Sequence, residues 1–214
     1  MNNYTLVQDK LDVINKTRSN LFDWRGQFTP ELIEYLLSVF SKKGDVVADP
    51  FSGSGTVLLE SVKIGHDAFG FEINPSAYYM SKFYEYCKLS VHGRERLIDE
   101  LRQLIGYEVQ NISPDKMIYI NNNDYRIAYA ELLSFARHCN TVIPTHLLPF
   151  IMNTLFMCER DKKLSLRTSL IKNINSLKYL LFSLPETSNI IEANWSDARN
   201  IAFKYKNKVD IVIT

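Results

Sequence analysis

Apolar positions along this chain follow two different periods, and the change from one to the other marks out its elements. In "FTPELIEYLLSVFSKKGD" the residues Leu32, Ile33, Leu36, Leu37 and Phe40 recur at three- and four-residue spacing and predict a helix. Thr29 is placed to cap it, Pro30 suits its first turn, Glu31 favours the positive end of the dipole, and Lys42-Lys43-Gly44 supplies a stop. Two shorter runs follow, "DVVAD" and "DAFGFEI", each reading as a strand with an acid at or near its end. Between them "TVLLESVKIG" reads as a helix closed by Gly65, and Asn74-Pro75 offers a cap and first-turn proline for "PSAYYMSKFYEY". Strand, turn, helix, strand, turn, helix is the unit that builds a parallel sheet.

The pattern changes from about residue 88 to 186, where "RERLIDELRQLI", "DYRIAYAELLSFARHC", "THLLPFIMNTLFMC" and "SLIKNINSLKYLLFSL" all carry helical spacing. They are broken at Asn121–Asn123, Pro144 and Pro185 and predict a helical insertion. The sheet pattern then resumes. "SNIIEANWSDARNI" reads as a strand, an acidic turn and a short helix, and "KVDIVIT" as a fourth strand. Val209, Ile211, Val212 and Ile213 suggest a strand that is central and buried on both faces in a complete sheet, and its next neighbour is expected from sequence outside this chain, which leaves its backbone groups unpaired here. The expected division is an arm or helix over 1–21, a first core part over 22–87, the insertion over 88–186 and a second core part over 187–214.

Composition narrows the partners. With 214 residues and a formal net charge of +1, the chain has room for a sizeable core and no overall polyanion-binding charge, so a nucleic-acid surface has to be local. No apolar run approaches the roughly 18 residues of a membrane helix, and the start lacks a secretory layout, so a cytoplasmic protein is expected. Cys87, Cys139 and Cys158 lack paired spacing, and His66, His92, His138 and His146 are scattered, so neither a disulfide framework nor a metal site is expected.

The chemistry concentrates in the turn after the first strand, "DPFSGSGT". Gly53 and Gly55 allow a ligand to approach the main chain at the strand's C-terminal edge, and Glu72, ending the next strand, can accept the hydroxyls of a ribose. The third glycine of a dinucleotide fingerprint is missing, with Thr56, Val57 and Leu58 after Gly55, and no Gly-Lys-Ser/Thr ending is present. Asp49, ahead of the turn, repels phosphate and suits an ammonium group. A cofactor with a ribose, an amino-acid tail and no phosphate fits these residues: S-adenosylmethionine.

"DPFSGSGTVLLES" followed by "GFEINP" resembles motifs I and II of the amino-methyltransferases that modify exocyclic nitrogens in DNA. "WRGQFTPELIEYLL" is similar to their motif X, beside the methionine end of the cofactor, "NWSDARNI" to motif III, and "VDIVIT" to the strand leading into motif IV. The resemblance implies an α/β, Rossmann-like sheet of about four parallel strands, incomplete and carrying a helical insertion. It implies cofactor-binding roles for Asp49, Pro50, Phe51, Gly53, Gly55, Thr56, Glu72 and Ile73, for Asp197 near the adenine, and for Gln27 and Thr29 in motif X, where Arg25 is a further candidate.

The chain ends one residue before the family's Asp/Ser/Asn-Pro-Pro-Tyr/Phe, which grips the flipped base. The implied protein is therefore the cofactor half of a site-specific, restriction-modification type enzyme acting on adenine N6 or cytosine N4 in double-stranded DNA. No catalytic residue is expected in this chain, and a C-terminal half or partner subunit would supply motif IV. An RNA methyltransferase with a similar motif I and a non-catalytic cofactor-binding subunit are the alternatives. Structural readings stand beside these roles. Asp197 also suits a helix cap, the cluster Tyr78, Tyr79, Phe83, Tyr84 and Tyr86 suits packing, and the basic stretches "ERDKKLSLRTSLIK" and "FKYKNK" suit solvated faces or phosphate contacts.

Overall fold

The computed structural model describes residues 6–18, 22, 24–110, 143–161, 164, 166–201 and 208–214. The predicted helix "DYRIAYAELLSFARHC" and the stretch "FKYKNK" lie outside or almost outside these residues. Two compact units are present, one formed by residues 1–88 and 185–214, the other by 89–184.

The first unit is α/β. In chain order it carries α1 (Gln8–Asp12), α2 (Pro30–Phe40), β1 (Val46–Asp49), α3 (Thr56–Lys63), β2 (Asp67–Glu72), α4 (Pro75–Phe83), a 3-10 turn over Tyr84–Lys88, β3 (Ile191–Trp195), a 3-10 turn over Ala198–Asn200 and β4 (Ile211–Val212). The sheet has four strands in the order β3-β2-β1-β4, and every pair is parallel. This is a Rossmann-like arrangement, with the crossover helices on the sheet's faces.

Local signals account for most of it. Asn74 caps α4 through its side chain, whose oxygen accepts from Ser76 N at 2.9 Å and Ala77 N at 3.4 Å. Gly65 turns the chain out of α3 with φ +88°. Phe83 and Tyr84 are fully buried and meet Phe22 edge-on, so this part of the aromatic cluster packs the interior.

Two details differ from the expectation, and a third concerns the last strand. Thr29 occupies the N-cap position of α2, yet its hydroxyl makes no capping bond and is buried without a partner. Glu31 does more than favour the dipole: its Oε1 accepts from Thr17 N (2.8 Å), Thr17 Oγ1 (3.0 Å) and Arg18 N (2.6 Å), fastening the incoming arm to the helix. Among the described residues the last strand stands at the sheet's edge, paired with β1: Ile211 and Ile213 pack on Ile33, Leu37, Val47 and Val57, while Val212 is 61% exposed on the other side. An apolar run is compatible with two covered faces, but coverage depends on neighbours that the run itself does not encode.

The second unit is helical. Its described helices are α5 (Val91–Gln110), α6 (Leu148–Arg160) and α7 (Leu166–Ser183). Pro149 in the first turn of α6 sets that helix's start a little later than the sequence pattern suggests. Leu101, Phe150, Leu177 and Leu181 are among its fully buried side chains. At the end of α6, Asp161 accepts from Lys172, Ser169 and Asn173 of α7 at 2.6–2.8 Å, pinning the two helices together.

Candidate functional site

In a parallel sheet the loops that follow the strands gather at one edge, and here the loops after β1 and β2 are tied to each other. Glu72, the last residue of β2, accepts from Gly53 N at 2.9 Å through Oε2 and from Asn74 N at 2.8 Å through Oε1. One carboxylate therefore braces the glycine turn against the next loop. A carboxylate has about four acceptor sites, so roughly two stay available for a ligand's hydroxyls. The turn is held further by Ser52 N on Phe71 O (2.9 Å) and by Gly55 N on Ser52 O (2.7 Å).

Gly55 has a different task from the one its sequence position suggests. A Cβ there would lie 2.8 Å from Ser81 Cα and 2.8 Å from the Tyr84 ring, so the missing side chain makes room for α4 and not for a ligand. A Cβ on Gly53 would meet Trp24 Cδ1 at 3.3 Å. Trp24 belongs to the "WRGQ" segment, and Gln27 of that segment accepts from Ser54 Oγ at 2.7 Å. The two widely separated sequence segments thus meet at the turn. Arg25 is exposed to solvent, and the buried hydroxyl of Thr29 has no hydrogen-bond partner.

Asp49 ends β1 and is 3% exposed, with Oδ1 accepting from Phe51 N at 3.0 Å. Burial, aided by the nearby charge of Glu72, pushes its carboxyl up to about 7, against the lowering effect of the Phe51 amide. Pro50 is half-buried in the turn, and Thr56 opens α3 as a buried residue. Phe51 and Ile73, each just beyond the end of a strand, are 69% and 65% exposed. Large apolar side chains so far out of the core, at the edge where such sheets bind ligands, form a ready apolar wall.

Sequence reasoning missed one member of that wall. Trp195 ends β3 in register with Glu72, is 61% exposed, donates from Nε1 to Ile73 O at 3.0 Å, and stacks on Tyr78 with ring centroids 5.9 Å apart. The available signal was a tryptophan at the end of an acidic strand–turn, two residues before Asp197. Asp197 itself caps the following 3-10 turn, accepting from Arg199 N at 2.9 Å. Its carboxylate also pairs with the Arg199 guanidinium, which holds it down at about 2. Ser196 N donates to Glu72 O at 3.1 Å, which puts Asp197 one residue beyond the β2–β3 contact.

Among the described residues no group of His, Cys, Asp and Glu is arranged to hold a metal ion, and no helix is long and apolar enough to cross a membrane. Cys87 and Cys158 are buried thiols.

Fold and edge together define a Rossmann-like unit whose loops are built around a carboxylate, an apolar wall and a glycine turn without phosphate-gripping residues. The sequence profile of the DNA methylase family matches residues 8–83. The chain is 34% identical over 74 residues to the type II methyltransferase M.MjaII of Methanocaldococcus jannaschii, and 36% identical over 62 residues to the type II methyltransferase M.BsoBI of Geobacillus stearothermophilus. These matches cover 34% and 28% of this chain, and the chain spans only 14% and 12% of the relatives' own lengths. No solved structure matches. Residues 8–83 are thus similar to part of a DNA methylase. Methyltransferases of this kind generally use S-adenosylmethionine.

Proposed function

We propose that this chain binds S-adenosylmethionine at the C-terminal edge of its sheet, as the cofactor-holding part of an enzyme that methylates adenine N6 or cytosine N4 in double-stranded DNA. The observation that carries the reading is Glu72, fixed by Gly53 N and Asn74 N with acceptor sites to spare, between the exposed side chains of Phe51 and Ile73.

The residues fit the cofactor's parts. Glu72 accepts ribose hydroxyls, and Phe51, Ile73 and Trp195 supply apolar surface for a purine ring. Asp197 is the acceptor for an exocyclic amine once Arg199 yields, which an exposed ion pair does at little cost. Asp49, Pro50, Gly53, Gly55 and Thr56 shape the turn, and Gln27 and Thr29 border its other side. When bound, the cofactor supplies a methyl group already activated on a sulfonium, so no metal is required. The chain contains no Pro-Pro dipeptide. In this reading a C-terminal half or a partner subunit supplies the group that grips the flipped base, and the target base leaves the duplex to reach it.

The chain has 2 tryptophans, Trp24 and Trp195, and both border this site. Adding S-adenosylhomocysteine is expected to change the intrinsic fluorescence in a saturable way, with matching heat in calorimetry. A flat response in both measurements rules the assignment out.

Asp49 gives the binding a pH signature. Its folded value of about 7 lies above the ordinary 3.8, so between these values the folded chain keeps a proton that the unfolded chain has released. The burden of an ionised, buried Asp49 is absent below the lower value and fully present above the upper one, so folding stability falls as pH rises through this window. A cationic ligand group beside Asp49 favours its ionised form, so binding below about pH 7 releases a proton. Affinity for S-adenosylmethionine is expected to rise from about pH 6 to about pH 8 and to flatten in Asp49→Asn. Titrations in buffers of different ionisation enthalpy read the released proton directly, and a pH-independent affinity in the parent chain removes this role for Asp49.

A further inference from the structure

We propose that the outward face of α7 contacts the phosphate backbone of double-stranded DNA, an assignment that rests on DNA being the substrate. Around the axis of α7 the residues divide cleanly. Ser169, Leu170, Asn173, Leu177 and Leu181 are buried on one side, and the other side is solvent-facing. All three charged residues of the helix are basic and none is buried: Lys172 is exposed, and Arg167 and Lys178 are half-buried. The single sign is local. Helix α5, of similar length, carries a buried Arg94 and on its remaining length mixes Arg96 and Arg102 with four acids, making short-range pairs such as Arg102–Asp99 at 3.0 Å, the habit of an ordinary solvated helix face.

Two further features separate α7 from such a helix. Arg167 sits in its first turn, where no acid is present and where the dipole disfavours a cation. A positive charge kept there against the helix's own interest suits an anionic partner. On the same face Tyr179 is 81% exposed, a far larger exposure than a structural role for an aromatic ring needs. The sequence around the helix continues the pattern. From Lys162 to Pro185 there are five basic residues (Lys162, Lys163, Arg167, Lys172 and Lys178) and no acid. Over a chain whose net charge is only +1, this is a concentrated field of one sign.

Phosphate contact, and not base reading, is the chemistry this face offers. Arg167 and Lys178 are separated by three turns of helix, about 16 Å, a spread that reaches phosphates more than one step apart, and Lys172 is the one charged residue between them. The Asp161 carboxylate ties Lys172 at 2.7 Å, which leaves Arg167 and Lys178 as the principal contacts and Tyr179 as the flanking ring.

The test is fluorescence anisotropy of a labelled duplex of mixed sequence with the full chain and with Arg167→Gln/Lys178→Gln. At ~0.1 M salt the double variant is expected to bind at least about tenfold more weakly, and the slope of log K against log salt is expected to fall by about 1.8, or ~0.9 for each lost phosphate contact. S-adenosylhomocysteine binding should not change. A second measurement needs no variant: photocrosslinking to 5-iodouracil-substituted duplex should place adducts within residues 166–183. The proposal is overturned if the parent chain binds no duplex, if the double variant keeps the parent's affinity and slope, or if every crosslink falls outside α7. Unchanged duplex binding by the variant would give this face to a protein partner instead. A parent chain that binds duplex through α7 but ignores S-adenosylhomocysteine would keep the surface and remove the cofactor reading.

Discussion

Glu72→Gln is expected to weaken binding of S-adenosylhomocysteine by about 30-fold to several hundredfold, corresponding to roughly 2–4 kcal/mol. The side chain does two things with one carboxylate. It accepts from Gly53 N and Asn74 N, and it retains acceptor sites toward the ligand side of the loops. Glutamine keeps the shape but replaces one oxygen with an amino group. That group then faces either a backbone N–H, which it repels, or a ribose hydroxyl, with which it makes a weaker, uncharged bond. Either orientation loses part of the site. Thermal unfolding of the same variant separates the two effects, since loosening of the loops lowers the melting temperature while a lost ribose bond does not. Equal ligand affinity in parent and variant would reduce Glu72 to a loop brace and take away the main support for the cofactor reading.

What the sequence disclosed and what it hid follow a physical division. Elements closed by short-range chemistry were legible. The glycine turn between β1 and α3, the Gly65 stop and the Asn74-Pro75 start of α4 each depend on residues within a few positions of one another. The parallel order of the first strands follows from the handed crossover that such units share. What stayed hidden depends on partners far along the chain. Glu72 reads as a ribose acceptor from its place at a strand end, but its bond to Gly53 N, nineteen residues back, appears only in three dimensions. Trp195 joins the site through Ile73 O, more than a hundred residues earlier. Val212 is exposed on one face of β4 while Ile211 and Ile213 pack on the other, a division that the apolar run in the sequence does not encode. Thr29 has the right type and position for a cap, and its hydroxyl is unused. Asp197 is the reverse case. Its local capping role was one of two readings available, and the Arg199 pair adds a competitor that any incoming amine has to displace.

Gly55 shows the same division most sharply, and it gives the largest expected effect on folding. Gly55 and Gly65 share one backbone conformation, φ +88° at each, in which a Cβ is strained. Their surroundings differ. A Cβ on Gly65 would meet nothing within 4 Å, whereas one on Gly55 would lie 2.8 Å from Ser81 Cα and 2.8 Å from the Tyr84 ring. Ser81 is fully buried and Tyr84 is 2% exposed, so neither can step aside without moving α4. Gly65→Ala therefore isolates the backbone strain, about 1 kcal/mol. Gly55→Ala adds overpacking of roughly 1–3 kcal/mol, for a total of about 2–4. At about 2–4 °C of melting temperature per kcal/mol for a chain of this size, Gly55→Ala should melt roughly 5–15 °C below the parent, and Gly65→Ala only a few degrees below it. Loss of ligand binding in Gly55→Ala should follow the loss of fold and recover at low temperature, where the variant remains native. Equal melting temperatures for the two alanine variants would mean that α4 yields to a methyl group at Gly55. A Gly55→Ala chain that melts like the parent yet never binds would return that glycine to direct contact with the cofactor.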